Sequence, residues 1–390
     1  MSDAIPSQRQ LMLPLLDALR RSGGEADTTT IRCVVADGLG LDDETRDRTT
    51  TIGGQKHGVL AHRVRWAQQH AKFAGLIERT ENAWRLTTNG SKHLTRCLPG
   101  SPTTIFMTPE GCALWGMAED MASVVDHGSV RLLLTSPPYS LNTKKAYGNE
   151  GAEAYVDWLC RIVEALMPVM AGDGSIVLNL GDAWTKGSPT VSMYQERAMI
   201  ALQDRLGLHL CQKLMWRNPS AMPVPSNWVG VERIRLKNAV EMLWWLSPSE
   251  RPHADNRAIL DPYSDRMRSL IAAGGSKRAK RPSGHAQREG SFSVDNGGSI
   301  PSNIFTIPNT GDHAHSRACR EAGLPVHPAR MPYGLAEKVI EFLSMEGDLV
   351  ADPFGGSGTT AKAAQDLGRH WVTTEACREY VEGSRLRFAA

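Results

Sequence analysis

Two short strings in this 390-residue chain carry the residue types that chemistry on a bound ligand needs. The first is Thr135-Ser136-Pro137-Pro138-Tyr139, directly after the apolar run Val130–Leu134. Paired prolines fix the backbone and remove two N–H donors, leaving carbonyls free to accept hydrogen bonds. An aromatic ring beside them can stack on a flat ligand. A surface turn is the competing reading, but the carboxyl end of a buried strand is where open α/β sheets hold ligands.

The second string is Leu349-Val-Ala-Asp352-Pro353-Phe354-Gly355-Gly356-Ser357-Gly358-Thr359-Thr360, which reads as a strand, a glycine turn and a helix start. Glycines let the backbone approach a ligand closely, and a helix amino terminus favours a negative group such as a carboxylate. Alone this is weak, because many nucleotide sites share it. Glu375 strengthens it. It lies 17 positions beyond Gly358, at the end of the next strand, where an acidic side chain can accept both ribose hydroxyls of an adenosine. A solvated strand end is the alternative for Glu375; taken together, the two features point to an adenosine-containing cofactor.

The elements around these strings alternate between strand and helix, the pattern of a parallel sheet. Strands are predicted at Val130–Thr135, Ser175–Leu180, Leu349–Ala351 and Trp371–Thr374, with Leu208–Trp216 and Ala239–Leu246 as a closing pair. Helices are predicted at Tyr155–Met170, near Ser192–Leu206, at Gly334–Leu343, at Thr359–Leu367 and after Glu375. Periodicity lapses from Ser247 to about Gly323. Residues 7 to 95 read as a separate unit. Leu11, Leu15, Leu16 and Leu19 make one helix, the polar stretch Ser22–Thr30 ends it, and Val59–Ala71 makes a second. Two short strands then turn at Glu81-Asn82, the outline of a winged helix. The expected division is 1–98, a turn-rich linker at 99–104, and 105–390 with an insert at about 247–323.

Composition is that of a globular protein, with 41% hydrophobic and 22% charged residues. A net charge of +2 does not announce a nucleic-acid partner, so any such footprint must be local. Seven scattered cysteines show no metal-ligand spacing, which fits free thiols in a reducing cytoplasm; no metal is expected. Neither a signal peptide nor a membrane span is visible, so a soluble cytoplasmic protein is expected.

Asp352-Pro-Phe-Gly-Gly-Ser-Gly-Thr-Thr with Thr135-Ser-Pro-Pro-Tyr resembles the amino-methyltransferases of restriction–modification systems, in the permuted β group where the catalytic motif comes first. His327-Pro-Ala-Arg-Met-Pro-Tyr-Gly-Leu is similar to that family's cofactor-side helix motif. Lys144-Lys-Ala-Tyr-Gly-Asn, Tyr155-Val-Asp-Trp-Leu, Pro262-Tyr-Ser-Asp-Arg-Met, Arg281-Pro-Ser-Gly-His and Asp295-Asn-Gly-Gly-Ser-Ile-Pro resemble the PvuII-type cytosine-N4 methyltransferases. The amino-terminal strings Leu11-Met-Leu-Pro-Leu-Leu, Arg63-Val-Arg-Trp-Ala and Ala74-Gly-Leu-Ile-Glu-Arg resemble the amino-terminal domain of Mrr-type restriction proteins, which implies a DNA-binding or dimer-forming accessory.

The resemblance implies a Rossmann-like S-adenosylmethionine-dependent sheet with Ala113–Trp115 next to the cofactor half. It implies cofactor contacts from Asp352 to Thr360 and from Glu375, Pro328 and Gly116. Many relatives have Gly-Asp at that last position, where Gly116 is followed by Met117; this puts one adenine contact in doubt. Ser136 and the Pro137 carbonyl would bind the amine and ring edge of a flipped base, Pro138 would hold the turn, and Tyr139 would stack. Asn179, Gly181 and Asp182 are candidates to line that site. Serine before Pro-Pro-Tyr favours cytosine N4 over adenine N6, which stays open. The Pro-Cys dipeptide of carbon-5 enzymes is absent.

Between Ser264 and Gly290 seven basic residues face two acids, Asp265 and Glu289. Within this family's recognition region, Lys277, Arg278, Lys280, Arg281, Ser283 and His285 are expected to contact double-stranded DNA; a solvated run is the alternative. A non-catalytic winged-helix regulator, or a protein-glutamine or ribosomal-RNA methylase of Asn-Pro-Pro-Tyr type, are further readings. A partner endonuclease is possible, and monomer and homodimer are both open.

Overall fold

A computed structural model describes residues 5–95, 97–139, 152–277, 279–280 and 286–388. Its centre is a nine-stranded sheet. The order is Ile304–Thr306, His209–Arg217, Val240–Ser247, Met170–Leu180, Val130–Thr135, Leu349–Asp352, His370–Glu375, Gly111–Trp115, Thr103–Met107. Two strands run against the rest: Val240–Ser247, paired Met242 to Leu180, and the edge strand Thr103–Met107.

Period-two alternation explains why these runs are strands with helices on both faces. Leu133, Ile176, Leu178 and Trp244 join one apolar cluster with the helices Ala152–Leu166 and Tyr194–Leu206. Their neighbours Leu132, Leu134, Val177 and Trp245 join the other, against the helices Tyr333–Leu343 and Thr359–Asp366. In Tyr333–Leu343 the buried positions Leu335, Ala336, Val339, Ile340 and Leu343 make one stripe at helical spacing.

Gly111–Trp115 lies parallel to His370–Glu375, with Trp115 opposite Glu375, the placement the family resemblance implies. The predicted closing pair does pair, antiparallel, but the sheet continues to Ile304–Thr306. That three-residue strand, the helices Asp265–Ala272 and His313–Glu321, and the strand Thr103–Met107 were not anticipated. The two strands are only three and five residues long, and the two helices, though amphipathic, are short and polar overall, so none of the four stands out as an apolar run.

The amino-terminal unit has the helices Met12–Arg21 and Val59–Phe73 and a three-stranded antiparallel sheet. The expected turn joins Ile77–Arg79 to Trp84–Leu86. Ser22–Thr30 does more than end the first helix. Asp27 accepts from the Thr29 and Thr30 N–H groups at 2.7 and 3.0 Å and so starts a further helix, Thr28–Gly38. A hairpin, Thr49–Ile52 with Gln55–Gly58, precedes the helix Val59–Phe73.

This unit docks against the edge of the large sheet. The buried His93 ring stacks on Trp115 at 5.0 Å, and its Nε2 is 2.9 Å from Thr103 Oγ1. Among the described residues no helix is long and apolar enough to cross a membrane.

Candidate active site

Parallel order brings the carboxyl ends of Val130–Thr135, Leu349–Asp352 and His370–Glu375 to one edge of the sheet. The turns that follow the first two open into one cavity of about 380 Å³. Ser136, Pro137, Pro138 and Tyr139 line one side; Asp352, Phe354, Gly355, Gly356, Ser357, Thr359, Thr360 and Glu375 line the other. Pro328 completes it with His327, Ala329, Arg330 and Met331.

A buried hydrogen bond joins the two motifs: Thr135 Oγ1 donates to Asp352 Oδ1 at 2.6 Å. The Phe354 N–H donates to the same carboxylate oxygen at 3.1 Å. Burial pushes the Asp352 carboxyl up, and these donors oppose the shift.

Gly355 sits so close to the next strand that a Cβ would lie 1.7 Å from Thr373 Oγ1. Gly358 takes φ +74°, and a Cβ there would meet Ser384 at 2.8 Å. These two glycines let the turn fold back on the sheet before the helix begins. Glu375 accepts from the Gly356 N–H at 3.1 Å and the Cys377 N–H at 2.8 Å, which fixes its carboxylate. Burial raises its pKa, opposed by those donors.

On the other side, the Tyr139 hydroxyl donates to Glu241 Oε2 at 2.7 Å and receives Asn179 Nδ2 at 3.1 Å. Asn179 Nδ2 also reaches Glu241 Oε2 at 3.1 Å, and Ser136 Oγ is 3.2 Å from the Tyr139 hydroxyl. The Tyr139 ring edge occupies the space beside Gly181, where a Cβ would come within 2.6 Å.

Three predicted cofactor residues do not line the cavity; they support it. The Gly116 N–H donates to the Glu375 carbonyl at 3.2 Å, and a Cβ on Gly116 would meet Pro102 at 3.2 Å. The Pro353 carbonyl accepts from Thr374 Oγ1 at 2.8 Å. Gly358 starts the helix. Asn179 lines the cavity as expected, whereas Gly181 and Asp182 line an adjoining cavity of about 280 Å³ that shares Tyr139 and Glu241. Lys277 is exposed. Arg278, Arg281, Ser283 and His285 lie outside the described residues, as do the Lys280 side chain and the string starting at Lys144.

The DNA methylase family model matches residues 130–385. The chain belongs to that family. The methylase also matches the Mrr N-terminal domain over residues 9–96. It is 40% identical over 286 residues to the type II methyltransferase M.PvuII of Proteus hauseri, covering 73% of this chain and 85% of the relative. It is 28% identical to the orphan methyltransferase M.BamHII of Bacillus amyloliquefaciens, over 65% of this chain and 86% of that one. Among solved structures, PvuII DNA methyltransferase (cytosine-N4-specific) superposes with a TM-score of 0.59 at 32% identity, covering 75% of this chain and 89% of that one.

Asp312, Arg387 and Glu241, which shape the methylase site, were not singled out from sequence, whereas Arg330 and His327 were read only as part of the cofactor-side string. Asp312 accepts from Arg330 Nη1 at 2.9 Å and from Arg387 Nη1 at 2.9 Å, while Arg387 also donates to Ser357 Oγ at 3.1 Å. The network clamps the glycine turn to the His327 segment. The His327 ring lies 4.5 Å from Tyr380, edge to face, and burial lowers its pKa to about 4, so it is neutral at pH 7. Glu241 had a readable signal: one acid opening the apolar run Met242–Leu246.

Proposed function

We propose that this methylase transfers a methyl group from S-adenosylmethionine to the exocyclic N4 of a cytosine flipped out of duplex DNA. The observation that carries the reading is the single cavity holding Ser136-Pro-Pro-Tyr139 and the glycine turn together. Its volume falls within the roughly 300–1,000 Å³ usual for small-molecule sites, and the fixed Glu375 carboxylate beside the Gly355-Gly356 turn matches an adenosine's ribose. Glu375, Phe354, Gly356, Ser357 and Pro328 would hold the cofactor, with Gly116, Pro353 and Gly358 shaping the backbone beneath. When bound, the cofactor supplies an electrophilic methyl on a sulfonium.

An exocyclic amine is a poor nucleophile because its lone pair is delocalised into the ring. The Ser136 hydroxyl and the Pro137 carbonyl accept the amine hydrogens and draw the nitrogen toward tetrahedral geometry, while Tyr139 walls the base. Extruding the base costs a few kcal/mol, which pocket contacts return. Catalysis is then mainly positioning. Ser136 and the likeness to a cytosine-N4-specific enzyme favour cytosine over adenine.

DNA contacts are assigned to the insert at about 247–323, within a domain spanning 105–390. Its helix Asp265–Ala272 buries none of its own residues and carries Arg266 and Arg268. The cluster Lys277, Arg278, Lys280, Arg281, Ser283 and His285 follows it and suits a phosphate backbone. The amino-terminal unit, 1–98, is a winged-helix accessory. The relation to a type II methyltransferase supports a role in restriction–modification, with a matching endonuclease as partner.

Nucleoside mass spectrometry of DNA from an expressing host tests this. N4-methylcytosine is expected; methyladenine alone would overturn the base assignment, and no methylated base would overturn the activity.

A further inference from the structure

We infer that Glu241 is the terminal acceptor of the proton that the target amine loses, reached from Ser136 through Tyr139. The inference rests on the methyltransferase reading above. The proline-rich motif offers the cavity the hydroxyls of Ser136 and Tyr139 but no group that accepts a proton at neutral pH. Glu241 supplies one because its strand runs backward. In Val240–Ser247 the second residue, not the last, lies at the sheet edge where the parallel strands end, one step past the Met242–Leu180 pairing. The carboxylate thereby lines the same cavity as Ser136 and Tyr139.

The contacts make a continuous line. Ser136 Oγ is 3.2 Å from the Tyr139 hydroxyl, and that hydroxyl donates to Glu241 Oε2 at 2.7 Å. Asn179 Nδ2 braces both of the last two groups at 3.1 Å. Asn179 Oδ1 is buried with no hydrogen-bond partner among the described residues, an acceptor left over for an incoming N–H on the cavity wall.

As the amine nitrogen bonds to the methyl carbon, the carbon–sulfur bond breaks and its electron pair goes to sulfur. The nitrogen becomes cationic and sheds one proton to Ser136 Oγ. The serine proton passes to the Tyr139 oxygen, and the tyrosine proton passes to Glu241. Both hydroxyls are regenerated. The carboxylate ends neutral, and the positive charge on sulfur is gone, so the charges balance.

Burial raises the Glu241 pKa, and the nearby Asp182 raises it further, opposed by the Tyr139 and Asn179 hydrogen bonds. Tyr194 also senses the Glu241 charge, and across the cavity stand Asp352, Glu375 and His327. Turnover should therefore decline as acid protonates Glu241, from a pH above the usual carboxylate range.

The experiment is single-turnover transfer of labelled methyl from S-adenosylmethionine to unmodified genomic DNA, across acidic to alkaline pH. Glu241→Gln should slow it about 100-fold or more, the scale of general-base loss, and flatten the acid limb. Binding of S-adenosylhomocysteine and of DNA should stay as in the unaltered protein. Glu241→Asp should recover part of both rate and limb. A Gln variant with unaltered rate or an unaltered limb would overturn the relay, as would lost binding with no change in the limb. Should Glu241→Gln fail to fold, Tyr139→Phe, which leaves the carboxylate in place but cuts the line, must show the same loss. An unaltered protein that methylates no DNA would instead sink the function on which the relay rests.

Discussion

Thr135 and Asp352 are 217 residues apart, and the hydroxyl of one donates to the carboxylate of the other at 2.6 Å inside the protein. Each ends the strand that leads into one of the two functional turns, so the bond sets the spacing between them. Thr135→Val keeps the shape and removes the donor. Leaving a buried carboxylate short of a partner costs about 1–3 kcal/mol. Urea unfolding should report that loss, and Thr135→Ser should restore most of it.

Gly355 is the tightest point of the glycine turn. Gly355→Ala places a methyl on Thr373 Oγ1, so the turn must move. The expected outcome is at least about tenfold weaker binding of S-adenosylhomocysteine by calorimetry, equivalent to about 1.4 kcal/mol. Adding Thr373→Ala removes the clashing oxygen and should recover part of the affinity. No recovery would mean that the turn tolerates no side chain for another reason.

Glu375 is held by two backbone N–H groups, and its remaining lone pairs are those assigned to a ribose. Hydrogen bonds to a charged group are worth about 1.5–3 kcal/mol. Glu375→Gln should therefore weaken S-adenosylhomocysteine about tenfold or more, and, because its amide group leaves one of the two backbone N–H donors without an acceptor, the melting temperature should fall as well. Equal affinity in the variant would remove Glu375 from the cofactor site.

His93 links the amino-terminal unit to the sheet, and burial lowers its pKa to about 4. In the unfolded chain an imidazole titrates near its ordinary value of about 6.5. Between these values the unfolded state binds the extra proton, so the contribution of neutral His93 is complete above the unfolded value and fades as pH falls toward the folded one. His93→Phe keeps a ring against Trp115 without a titrating group. Circular-dichroism melting should show a shallower acid decline in the variant; His327, depressed to a similar value, titrates in both.

The basic cluster gives a salt test. Replacing Lys277, Arg278, Lys280 and Arg281 with alanine should weaken duplex binding and lower the slope of log affinity against log salt by about 0.9 for each phosphate left without its cation. An unchanged slope in fluorescence anisotropy would move the DNA interface elsewhere.

The strings around Ser136, Asp352 and Glu375 were legible because each joins an apolar run to a turn of special residues, a local property that one stretch of chain contains whole. The sheet strands that flank them were legible for the same reason. Pairing was not. Ile304–Thr306 is three residues long, and Thr103–Met107 follows a proline-rich linker, so each becomes a strand only because a neighbouring edge offers free backbone groups. The helix Thr28–Gly38 was hidden by a polar start whose one informative residue, Asp27, works as a cap only when the backbone turns there.

By itself, then, the chain's order of residues determined its two reactive turns, the acid at the third strand end and the class of sheet that carries them. The folded arrangement alone decided that these turns share a cavity, that Asp312 ties Arg330 and Arg387 to the glycine turn, and that Glu241 faces Tyr139. The physical reason is range. Turn chemistry is written in consecutive residues, but which side chains meet depends on strand order and direction, and the reversal of one strand put a carboxylate where periodicity would have predicted only a strand's beginning.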